Sequence, residues 1–227
     1  MLAVLLPKLK IILLALAKYK TILSMFAMTG VYWSAYGWRF AVGFVLGIYI
    51  HEMGHVYMLK HYGLRASSPM FIPFVGAFVS MYDSPKNHGQ DARIGLAGPL
   101  FGAGAALMTL IPAYAGLGPV WLAIAHATAY INLFNLTPVW MLDGGRAFRA
   151  LDFRSRMYLV GLTVLLWYVT GEGIFLIVLL GAAFRTFIQR DHPQEEDRGV
   201  LGLYAGLLLF FAVLLMWLPS GGLYGSR

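Results

Sequence analysis

Seven apolar runs punctuate the chain, several of them close to the ~20 residues a helix needs to cross a hydrocarbon core, and no other feature restricts its fold as strongly. They occupy residues 21–37, 40–60, 92–113, 119–140, 157–170, 173–187 and 200–218. Backbone polar groups cannot stay unpaired in lipid, so runs of this length become helices. Only 12% of the 227 residues are charged, too few to clothe a soluble domain of this size. The expected fold is an all-α polytopic membrane protein with six to seven transmembrane helices. The run at 119–140 is expected to break near Pro138, and the pair at 157–187 to turn back around Gly171-Glu172-Gly173.

The net charge of +7 would suit a nucleic acid, but its placement argues otherwise. With the amino terminus in the cytoplasm, only Arg39 and Arg227 of the 17 Lys and Arg residues fall on the outer side. That asymmetry is the positive-inside pattern, and the reverse orientation violates it at almost every loop. Topology accounts for the basicity, and no nucleic-acid partner is expected. Residues 1–20, where Pro7, Lys8 and Lys10 interrupt short apolar stretches, are expected to form a helix lying in the membrane interface. Residues 189–198 read as a solvated loop. There is no cysteine, which excludes disulfides, thiolate ligands and a cysteine nucleophile. Any metal ligands must be His, Asp or Glu.

The second run contains His51-Glu52-Met53-Gly54-His55, an H-E-x-x-H motif. Residues four apart on a helix are separated by about 40° around the axis and about 6 Å along it, so two imidazoles there can converge on one ion. The intervening glutamate can serve as general base. From the chain's own composition, a chance match is roughly three in a thousand. A charged group at a helix centre costs about 2.5–3.5 kcal/mol on insertion scales, so three polar groups within five residues need a reason. A buried His–Glu hydrogen-bond pair is the bland alternative. Zinc suits the pair of imidazoles, and catalysis by zinc needs a third protein ligand and an open position.

Candidates for the third ligand are His126, Asp143, Asp152, His88 and Glu172. Glu172 is expected on the outer side, away from the motif. His88 and Asp152 lie in or beside loops. His126 lies nearer the outer end of its span and reads as a core histidine. Asp143 follows the break at Pro138, precedes Gly144-Gly145 and lies at matching depth, so it is preferred. Asn135 and Asn132 lie on the same helix; a side-chain amide there can donate to an oxyanion or bridge two helices. Asn135 is favoured for the first role.

The segment Asn135-Leu136-Thr137-Pro138-Val139-Trp140-Met141-Leu142-Asp143-Gly144-Gly145-Arg146 resembles the second signature of the site-2 protease family. H-E-x-x-H in an early span is the first, and Ala97-Gly98-Pro99 resembles a further element. The resemblance covers roughly residues 40–150. It implies an intramembrane zinc metalloprotease that cuts transmembrane segments of other proteins, as in regulated intramembrane proteolysis. It implies one zinc ion on His51, His55 and Asp143, Glu52 as base, and Asn135 as oxyanion donor. Met141 stands where many members have a second proline. No stretch suits a PDZ or CBS domain, so a minimal member is expected: one membrane-embedded protease domain over 1–227, with its catalytic core at 40–150 and C-terminal helices at 155–218. The expected setting is a prokaryotic cytoplasmic membrane, with the amino terminus and the site on the cytoplasmic side.

Residues 67–82 are too short to cross as a helix and rich in aromatic and β-branched residues. They suggest a short hairpin dipping into the membrane, kept at an edge by Pro69 and Pro73. Its edge can pair with an unwound substrate, with Val75 and Phe78 as substrate-binding candidates; a loop that merely plugs the site is the alternative. Two rival functions use the same residues, a metal transporter or sensor and a catalytically inactive relative that binds membrane segments.

Overall fold

The computed structural model describes residues 19–189 and 197–218. Nearly all of the expected interfacial helix lies outside these residues, as do 190–196 of the expected loop. The described chain is mainly helical. Helix α1 spans Lys20–Tyr36 and α2 spans Trp38–His61. Strands β1 (Met70–Ile72) and β2 (Gly76–Phe78) form one antiparallel hairpin. Then come α3 (His88–Tyr114), α4 (Val120–Asn135), the short α5 (Asp143–Phe148), α6 (Phe153–Thr170), α7 (Gly173–Phe184) with a π-helical turn over Arg185–Gln189, and α8 (Arg198–Trp217). By length and composition, α2, α3 and α8 are the described helices able to cross a membrane. The protein is an integral membrane protein.

Element boundaries follow local chemistry. Helix α3 starts four residues before its apolar run, where Asn87 caps it and Gln90 reaches back to the residue before the cap. Asn87 Oδ1 accepts from the Gln90 N–H at 2.8 Å, and Gln90 Oε1 accepts from the Lys86 N–H at 2.6 Å. Asp152 and Asp197 cap α6 and α8 by accepting from the backbone N–H groups of Ser155 and Val200. The expected turn between α6 and α7 is present, with Gly171 at φ 70°, a left-handed position that favours glycine. Helix α4 ends at Asn135, three residues before Pro138.

Helix α3 is the central post. It crosses α2 where Gly54 faces Ala97; a methyl on Gly54 would fall on the Ala97 carbonyl. The main core joins α3 to α8 through Leu96, Leu133, Phe148, Phe175 and Phe211. A smaller cluster of Met28, Phe44, Ile48 and Phe71 ties α1, α2 and β1 together.

Two buried arginines hold the region after α5. Arg156 is fully buried and donates from Nε to the Leu151 carbonyl at 3.0 Å and from Nη2 to the Phe148 carbonyl at 2.7 Å. Carbonyls at a helix carboxyl end lack partners within the helix, and a cation is the favourable group to meet them. Arg185 reaches the Gly145 carbonyl at 3.4 Å. Arg146 leaves α5 on the other side and binds Asp91 of α3 at 2.6 Å.

In the hairpin, the outer edge of β1 is closed. The Phe71 N–H donates to Ser24 Oγ at 3.2 Å, and Thr21 Oγ1 donates to the Pro69 carbonyl at 2.6 Å, both hydroxyls coming from α1. Phe71 pairs with Ala77. Since the Phe71 N–H points away from β2, this is the non-hydrogen-bonded rung, and the Ala77 N–H and C=O point out from the free edge of β2. At the base of the loop, Arg65 clasps Asp83 with its guanidinium at 2.8 Å and its backbone N–H at 2.7 Å. These bonds hold the Asp83 carboxyl down at about 2.

Candidate metal centre

The two motif histidines lie one turn apart on α2, and both are buried. Their Nε2 atoms are 3.1 Å apart. Asp143, the first residue of α5, faces them, with Oδ2 3.2 Å from His51 Nε2 and Oδ1 3.4 Å from His55 Nε2. Zinc bonds of ~2.0–2.1 Å in a tetrahedral site put ligand atoms roughly 3.3 Å apart. The Nε2–Nε2 separation and the distance from each imidazole to a carboxylate oxygen, Oδ2 for His51 and Oδ1 for His55, lie near that edge length, and the donor set of two imidazoles and a carboxylate suits the ion. Among the described residues, His51, His55 and Asp143 form the one cluster able to hold a metal.

Both imidazoles are oriented from behind. His51 Nδ1 lies 2.7 Å from Asn132 Oδ1, and His55 Nδ1 lies 2.8 Å from the Ile94 carbonyl. Each acceptor takes an Nδ1–H, which leaves each Nε2 lone pair facing the cluster. Asn132 is itself fixed, its amide donating to the Thr128 carbonyl at 2.7 Å. Space for the rings comes from Gly98 in α3: a methyl there would lie 2.7 Å from His51 Nε2 and collide with His55.

Asp143 owes its position to the broken end of α4. Tyr204 of α8 is fully buried and donates its hydroxyl to the Leu136 carbonyl, the first residue past α4. The chain then doubles back so tightly that a methyl on Gly144 would strike that same carbonyl. Trp140 and Met141, in the connecting segment, are exposed. Met141, the departure from the family pattern, therefore touches no part of the cluster.

Glu52 is buried beside the cluster, 5% exposed, and makes no hydrogen bond to another described residue. Asn135 Nδ2 lies 3.5 Å from His51 Nε2, so its amide reaches the same space. The remaining ligand candidates are elsewhere. His126 stacks on Tyr130 with ring centroids 4.7 Å apart, and the Tyr130 hydroxyl donates to Glu172, which places both candidates together where α4 meets the α6–α7 turn. His88 opens α3, and Asp152 caps α6. Val75 sits in the hairpin turn, 79% exposed, and Phe78 on a rung of β2, 44% exposed. Sequence reasoning ranked Asn132 below Asn135 and expected an interhelical hydrogen bond as its ordinary role. It does bridge two helices, but its partner is His51. Its spacing of three from Asn135 was the available signal.

Residues 39–118, which carry His51, Glu52, His55 and Ala97-Gly98-Pro99, match the model of Peptidase family M50. A zinc metalloprotease of Methanocaldococcus jannaschii is 32% identical over 149 residues, covering 62% of this chain and 42% of the relative. The chain thus spans about two fifths of that relative's length. The match to the family model ends before Asn135 and Asp143, whose place in the cluster rests on the geometry above. The likeness read from the motifs is thus met independently over residues 39–118, which are similar to Peptidase family M50, the site-2 protease family.

Proposed function

We propose that the protein is an intramembrane zinc metalloprotease that hydrolyses peptide bonds within or near transmembrane segments of other membrane proteins. One observation carries the reading: two buried imidazoles and a buried carboxylate converge within 3.1–3.4 Å of one another, beside a buried glutamate that makes no hydrogen bond to another described residue. His51, His55 and Asp143 would hold the ion. Zinc held there supplies Lewis acidity, which acidifies water and polarises a peptide carbonyl.

The chain's own groups do the rest. Glu52 accepts the proton of the attacking water and returns it to the leaving amine. Asn135 donates its amide N–H to the oxyanion that develops on the substrate carbonyl, in a water-poor site where such a bond is strong. Asn132 and the Ile94 carbonyl keep the two imidazoles turned toward the cluster. A helical substrate must unwind, since its scissile carbonyl is otherwise hydrogen-bonded. The free edge of β2 can hold the extended segment through Ala77, with the exposed Val75 and Phe78 side chains against it. The amino terminus and the site face the cytoplasm in this reading, as the distribution of basic residues favours.

The test has two arms on purified full-length protein. Zinc content should be close to one per chain in the wild type and should fall sharply in His55→Ala and Asp143→Ala. A test membrane segment should be cut by the wild type and not by Glu52→Gln, which should keep its zinc. Zinc bound without any cleavage of membrane segments would instead favour a transporter or sensor. A fully active Glu52→Gln would remove glutamate from the mechanism.

A further inference from the structure

Helices α2 and α3 touch at Gly54 and Ala97 and separate toward the other end of the molecule. The gap between them is an apolar cleft of about 420 Å³. Val42, Leu46 and Ile50 of α2 form one wall, and Ala105 and Met108 of α3 the other. Trp121 of α4 adds to the lining near the Trp38 end, and Ile50 marks the other end. The mouth is different in kind. It holds Trp38 and Arg39, with the guanidinium 5.5 Å from the Trp38 ring centroid. Arg39 is exposed and has no ion-pair partner among the described residues, and no acidic side chain lines the cleft.

Length and charge point to the occupant. The wall from Trp38 to Ile50 is roughly 18 Å long at 1.5 Å per residue, slightly more than the ~15 Å depth of one leaflet. An extended acyl chain spans one leaflet and can lie along an apolar wall of that length. The unpaired guanidinium at the mouth matches a phosphate, and tryptophan at the same level belongs to the headgroup region.

We infer that the α2–α3 cleft binds one anionic phospholipid, an acyl chain lying along Leu46 and Met108 and the phosphate on Arg39. The cleft ends at Ile50, beside His51, but none of the cluster's side chains lines it, and the inference does not depend on the protease reading.

The experiment uses full-length protein and phosphatidylglycerol as the probe, with phosphatidylcholine for comparison. In native mass spectrometry from detergent, the wild type should retain one phosphatidylglycerol in about tenfold preference to phosphatidylcholine. Arg39→Gln should remove that preference, and Leu46→Trp, which fills the cleft, should lower retention of both lipids. Zinc content equal to wild type certifies that each variant is folded. In membranes, a photoreactive benzoylphenylalanine replacing the exposed Met108 should give a lipid adduct. Equal phosphatidylglycerol retention by wild type and both variants would overturn the site. So would a crosslink from position 108 to a peptide, whether of this chain or of another protein.

Discussion

His51 and Asn132, 81 positions apart in the chain, meet through a buried 2.7 Å contact between imidazole Nδ1 and amide oxygen. Asn132 is fully buried, so the contact has no water to replace it. Removing the acceptor frees the ring to turn and to change tautomer. Asn132→Ala should weaken zinc binding by about 10–100-fold, the usual effect of losing a partner behind a ligand histidine. Chelator competition on purified protein measures it. Unchanged affinity would show that helix packing alone orients the ring.

Gly98 gives the cluster its room. In Gly98→Ala the new methyl lies 2.7 Å from His51 Nε2, with the rigid α3 backbone behind it. Zinc should be lost while helix content by circular dichroism is retained. Gly104 on the same helix has open space around it, and Gly104→Ala should bind zinc normally. A Gly98→Ala protein with full zinc content would mean that the imidazoles move aside without cost.

The Tyr204 hydroxyl is the hydrogen-bond donor to the Leu136 carbonyl where α4 breaks. Tyr204→Phe keeps the ring and leaves that carbonyl buried and unpaired, a loss of about 1–3 kcal/mol. Denaturation in detergent should show destabilisation of that size. A shift well below 1 kcal/mol would mean that the carbonyl finds another donor.

The hairpin offers a sharper probe of substrate pairing than its most exposed residues. Phe78 lies on a rung bonded to Met70, so proline there damages the hairpin itself. Ala77 points its N–H outward, so Ala77→Pro removes a donor from the free edge and no bond from the ladder. Cleavage of a membrane segment should fall at least tenfold, with zinc content unchanged. Equal cleavage by the variant would dismiss strand pairing and leave the hairpin as a plug.

The sequence showed what depends on one helix or one short motif. His51 and His55 share a face because of their spacing, and Asp143 was preferred for its depth beyond the break at Pro138; these three side chains meet in the structure. The capped start of α3 was missed because Asn87 and Gln90 lie outside the apolar run, where hydropathy gives no signal. Tyr204 and Arg156 gave no signal in the sequence, and Asn132 was expected to bridge helices without its partner being named, since the partners are carbonyls or a ring supplied by other segments. A buried arginine within an apolar stretch looks anomalous until the carboxyl end of α5 comes beside it. The hairpin was expected to have an edge, but which edge is free depends on Thr21 and Ser24, hydroxyls on a helix some fifty residues earlier.

The tyrosine that fastens the end of α4 has one further consequence, for biosynthesis. By the time the ribosome has made residue 143, both imidazoles and the carboxylate exist, yet the bend between them is unfastened until residue 204 emerges some sixty residues later. The Leu136 carbonyl meets its Tyr204 donor only once α8 has joined the bundle, so the bend that carries Asp143 is fastened by the last described helix to be made.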